Sequence, residues 1–173
     1  MLKKTVMVML CAMIMLSLAS CSRRAEPIRH PERMEQLAQE FIADLRREIM
    51  PFHDRPRELV THGTLVLRTE YTMGIELLGE FYHAYQNGDY AQLTIFYFDF
   101  EPVVVSRVVF PDNEEGYWFR YQLNEENPGL MGVMPRPAAT VDVFRDEAHN
   151  TVNLLLYSGG AQVAEFIFPD HRQ

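Results

Sequence analysis

The sequence predicts an α+β domain in which one N-terminal amphipathic helix packs on a curved antiparallel β-meander of about eight strands, open or cracked like an unclosed barrel. Three observations lead there. Apolar residues recur at the three-and-four spacing of one helix face between Pro31 and Met50. From Thr64 to the end the chain breaks into short runs rich in β-branched and aromatic residues. The turn chemistry between these runs is so brief that neighbouring strands are expected to be antiparallel.

Ahead of this domain, Lys3 and Lys4 precede an apolar run from Val6 to Leu18, and the small residues Ala19 and Ser20 lead to Cys21. That order is the layout of a secretory signal. The run is shorter than the roughly 20 apolar residues that span a bilayer. The stretch Leu18-Ala19-Ser20-Cys21 resembles the lipobox of the bacterial lipoprotein family. The resemblance implies that residues 1–20 are a signal peptide removed before Cys21. Cys21 then carries a thioether-linked diacylglycerol and an N-acyl chain such as palmitate, and no other cofactor is implied. Residues 21–30 are expected to tether a single domain, 31–173, to the membrane, reaching at most ~35 Å when extended. Several acyl chains, at ~0.8 kcal/mol per buried methylene, anchor far better than one. Ser22 resembles the sorting signal for the outer membrane in Gram-negative cells, so the expected location is the cell envelope, on the outer rather than the inner membrane.

Composition narrows the partners. Without Lys3 and Lys4 the sixteen basic residues fall to fourteen, all Arg, against 24 acidic residues, a formal charge of −10 after position 20. Such a surface repels nucleic acid and anionic headgroups. Lacking lysine, the mature chain has no Schiff-base or P-loop chemistry. Cys11 leaves with the signal, so the lipidated Cys21 is the one mature cysteine, which excludes disulfides, thiolate catalysis and Cys-based zinc sites.

In the expected helix, Met34, Leu37, Ala38, Phe41, Ile42, Leu45 and Ile49 form the apolar face. Pro31 suits the first turn, Glu32 and Glu35 the positive end, Arg46 and Arg47 the negative end, and Pro51 stops it. Packing on a sheet fits it better than a membrane surface, which favours cationic polar faces. After a polar bridge, strands are expected at Thr64–Met73, Glu76–Gln86, Tyr90–Phe100, Val103–Phe110, Tyr117–Leu123, Thr140–Arg145, Thr151–Tyr157 and Gln162–Phe168. Asn87-Gly88-Asp89 and Gly159-Gly160 read as hairpin turns, with longer turns at Asp112–Gly116 and Asp146–Asn150 and a loop from Asn124 to Pro137.

No residue set points to catalysis. Ser22, Ser106 and Ser158 lie outside any Gly-x-Ser-x-Gly turn, and the histidines show no metal-ligand spacing. The acidic pairs Glu114-Glu115 and Glu125-Glu126 lack the alternating ligands of a calcium loop. Glu76 and Glu80, on one face of their expected strand, would pair with arginines such as Arg68 or Arg107. The distinctive feature is aromatic density. Phe81, Tyr85, Phe96, Phe98, Phe100 and Trp118 are the candidate residues for an apolar cavity or a contact face. The expected architecture resembles the outer-membrane lipoprotein receptors of the LolB type and the cracked-barrel pilotin lipoproteins of secretion systems. The reading that follows is a non-enzymatic envelope lipoprotein that binds an envelope protein. A hydrophobic-ligand carrier is the second reading, and an envelope hydrolase built from distant acidic and histidine residues the third.

Overall fold

The computed structural model describes residues 31–100, 103–112, 115–122 and 136–170. Cys21, the tether and most of the expected 124–137 loop lie outside them. Helix α1, Pro31–Asp44, runs into a π turn at Leu45–Ile49 and a 3-10 turn at Met50–Phe52. The buried residues Leu37, Phe41, Leu45 and Ile49 are spaced strictly by four, which drifts around a regular α-helix. The wider π turn, in which Met50 donates its N–H to Leu45, keeps the last two over the sheet. Pro51 then ends the helical path. The expected polar bridge contains a short helix, α2, Pro56–Thr61, which buries Leu59.

The described residues form nine strands in two open sheets, not one meander of eight. The expected strand Thr64–Met73 is a tight hairpin of β1, Thr64–Leu67, and β2, Thr72–Met73. The expected strand Glu76–Gln86 is a helix, α3, Glu76–Asn87. Its buried Leu78 and Phe81, with Tyr85, follow helical spacing, and Gly88 takes a left-handed conformation (φ 75°) as its C-terminal stop. Asn87-Gly88-Asp89 is thus a helix cap and not a hairpin turn. The topology requires this helix, because β1 pairs in parallel with β3, Ala91–Tyr97, and parallel neighbours need a long crossover.

From β3 the chain continues antiparallel through β4, Val104–Phe110, and β5, Gly116–Gln122, to a short edge strand β6, Arg136–Ala138. The six-stranded sheet therefore has the order β2-β1-β3-β4-β5-β6. A second sheet holds β7, Thr140–Asp146, β8, Thr151–Ser158, and β9, Ala161–Pro169, in that order. One residue, Ala139, joins the sheets, its N–H donating to the Tyr157 carbonyl at 2.6 Å. The turns expected at Asp146–Asn150 and Gly159-Gly160 are present, with positive φ at Asn150, Gly159 and Gly160.

The large sheet is the middle layer. On one face Val66, Phe96, Val105, Val109 and Phe119 pack against Phe41, Leu45 and Ile49 of the helical layer. On the other, Leu65, Leu93, Ile95 and Val108 meet Phe81 of α3 and Leu154, Leu156, Phe166 and Phe168 of the small sheet. Cover on both faces explains why every residue of β4 is buried and no apolar alternation shows in its sequence.

Candidate functional site

The six aromatic candidates go to three separate places. Phe81 and Tyr85 of α3 and Trp118 of β5 belong to the core between the large sheet, α3 and the small sheet. There the Tyr85 ring meets Phe110 edge-on at 4.8 Å and Trp118 meets Phe166 at 6.0 Å. The Tyr85 hydroxyl also accepts the Val141 N–H at 3.2 Å, pinning α3 to the start of β7. Phe96 and Phe98, two residues apart, share the helix-facing side with ring centroids 6.1 Å apart. Phe100 stands at the end of the sheet, 40% exposed and edge-on to Tyr97. These side chains are consumed largely in packing on one another.

Arg107 and Arg68 each lock two parts of the fold together, as does Arg145, paired with the buried Asp170 at 2.6 Å. Arg107 points from β4 into the helical layer with its side chain only 6% exposed. It donates to Asp44 Oδ2 at 2.7 Å and to Thr94 Oγ1 at 3.1 Å, and its guanidinium lies 4.6 Å from the Phe41 ring centre. A cleft of about 260 Å³ opens beside it, lined by Leu37, Glu40, Asp44, Tyr90, Gln92 and Arg107. Burial pushes the Tyr90 phenol above its usual range. Arg68, at the β1–β2 turn, grips both Asp99 carboxylate oxygens at 2.8 and 2.7 Å, donates to the Tyr71 hydroxyl, and lies over Phe98. The bidentate Arg68 holds the Asp99 carboxyl below the usual carboxylate range. Arg68 and Arg107 thus pair with Asp99 and Asp44. Glu76 and Glu80, expected to pair with them from a strand face, lie exposed on α3. Both arginines thereby tie together segments far apart in the chain.

The outer face of the small sheet is different. Val141, Val143, Val152, Leu154, Phe166 and Phe168 turn toward the core, so the alternate residues of the same strands point away from it. Strand register places Phe144, Asn153 and Ile167 in one outward row, and Asp142, Leu155 and Glu165 in the next. Phe144 is 42% and Ile167 51% exposed, two of the five large apolar residues so exposed among those described. Asn153 and Leu155, the middle-strand members of the two rows, are both buried, and Leu155 belongs to neither core cluster. No cation pairs with Asp142 or Glu165 among the described residues, and Glu165 accepts only from Gln162 at 3.3 Å. Two exposed apolar side chains thus flank the buried Asn153 in one row, and the carboxylates of Asp142 and Glu165 flank Leu155 in the next.

Sequence reasoning did not single out Phe144 and Ile167. The signal was present in Phe166-Ile167-Phe168, three consecutive apolar residues that put one apolar side chain on the far face of any strand containing them. No protein-family model, curated protein or solved structure matches the chain.

Proposed function

We propose that the chain is a lipid-anchored protein of the bacterial envelope whose domain works without catalysis, by holding another envelope protein close to the membrane. The exposed side chains of Phe144 and Ile167, in one cross-strand row, carry this reading. Both faces of the large sheet are covered from within, while Phe144 and Ile167 offer apolar surface that the described residues leave open. The distribution of Phe81, Tyr85, Phe96, Phe98, Phe100 and Trp118 over three packed places favours contact over carriage of a ligand in one aromatic cavity. The anchor rests on the lipobox resemblance and on the short reach of the tether. Outer-membrane residence rests on Ser22.

Two experiments test the two halves. Cys21→Ser should leave an unprocessed precursor that takes up no radioactive fatty acid, and normal labelling and maturation of that variant would refute the anchor. A photo-crosslinking residue at Ile167 should trap one discrete envelope protein in living cells, whereas the same residue at exposed His83 on α3 should not. Equal trapping at both positions, or none at Ile167, would refute the contact role.

A further inference from the structure

Resting on that contact role, the small sheet says more about the partner. Edge strands invite pairing with other chains, and proteins normally shorten or protect them. The large sheet obeys this: its edges are β2, two residues long, and β6, three residues long with Pro137 in the middle. The small sheet does not. Its edge β9 runs nine residues with its only proline at the end, and among the described residues no strand pairs along its outer side. On the outward face of that same strand stand Glu165 and Ile167, two positions apart.

From these observations we infer that β9 accepts, by strand addition, an extended segment of another envelope protein in which a basic and an apolar residue stand two positions apart, on one face of the added strand. Backbone hydrogen bonds to the open edge supply the common affinity, and side chains on alternate positions supply the choice of partner. A strand laid along β9 extends the existing cross-strand rows. A basic side chain then continues the Asp142–Leu155–Glu165 row and meets the Glu165 carboxylate, and an apolar one continues the Phe144–Asn153–Ile167 row and covers Ile167. A second copy of this chain fits poorly, because it would bring its own Glu165 to the same face and a further net charge of −10 with it. Anionic lipid is disfavoured by the same carboxylates.

The test uses the full-length protein in neutral detergent and a fluorescein-labelled peptide of the repeat Arg-Thr-Val-Thr, which sets Arg and Val in turn along one face, followed by fluorescence anisotropy. Saturable binding is expected. Glu165→Arg should weaken it about tenfold, the loss of one favourable cross-strand pair and the gain of a repulsive one, and should create a matching preference for a peptide of the repeat Glu-Thr-Val-Thr. Glu147→Arg, the same charge change on the exposed β7–β8 turn, should leave binding unchanged. Ile167→Ser should weaken it with the melting temperature preserved, and full N-methylation of the peptide backbone should abolish it. The inference is overturned if Glu147→Arg weakens binding as much as Glu165→Arg, if the methylated peptide binds equally well, if no peptide binds, or if sedimentation shows the protein dimerising through Ile167. Crosslinking at Ile167 that persists when the peptide results fail leaves the contact role standing without strand addition; loss of both removes the contact role itself.

Discussion

Removing Asp44 should damage the protein more than removing the arginine it binds. Arg107 is almost wholly buried under α1, whereas the Asp44 side chain is 24% exposed at the rim of the cleft. Asp44→Ala strands a guanidinium whose remaining partners are Thr94 and the Phe41 ring. Breaking a fully buried pair from one side costs ~3–5 kcal/mol, and water reaching through the cleft reduces this to about 2–3 kcal/mol. Arg107→Met keeps the hydrocarbon cover over Phe41 and frees Asp44 to turn toward water and Arg47, which it already holds at 2.9 Å. Its two lost hydrogen bonds and its cation–π contact, ~1 kcal/mol each, are largely offset by the desolvation no longer required, leaving a net change of about 1 kcal/mol or less. The double variant should resemble Arg107→Met, giving a coupling of about 2 kcal/mol. Urea denaturation of the four proteins, compared at equal m-value, measures this. Additive losses, or a larger loss for Arg107→Met than for Asp44→Ala, would refute the account of a buried cation held by a half-exposed acid.

Three further outcomes follow from the packing and the charges. Phe41→Asp places an unpaired carboxylate where no solvent reaches and should lower stability by ~3 kcal/mol or more, so an unchanged melting temperature would show α1 to be undocked. Gly116→Ala should cost ~1–3 kcal/mol, because a Cβ there runs into the Phe110 ring, which Tyr85 and Phe81 prevent from yielding; an unaltered denaturation midpoint would disprove the close approach. Asp99, held below the usual carboxylate range by Arg68, stabilises the fold above the ordinary carboxyl value of ~3.9 and loses that contribution as pH falls through its lowered value. The stability difference between the wild type and Asp99→Asn, small at neutral pH because the pair is exposed, should therefore shrink on acidification, and a difference that grows would reverse the assigned sign.

The elements legible in the sequence were those whose signal is local. α1 showed itself through apolar spacing bounded by Pro31 and Pro51, and the hairpins of the small sheet through Asp146–Asn150 and Gly159-Gly160. The aromatic content of the run from Glu76 to Gln86 suits a strand, although Leu78, Phe81 and Tyr85 follow a helical stripe that ends at Gly88. Aromatic propensity is a weak preference, and the need to carry the chain across a parallel pair decided the matter. Charge alone also determined what surrounds the outer face of the small sheet: an acidic domain, lysine-free after position 4, in which Asp142 and Glu165 find few cations to pair with. Tertiary structure decided the rest. Strand order, the division into two sheets at Ala139, and the partners of Arg68 and Arg107 depend on residues far apart in the chain. Which side of β7 and β9 meets solvent was likewise open until packing was known. A strand exposes both parities of its side chains equally, and only the layer laid against one face makes Phe166 core and Ile167 surface.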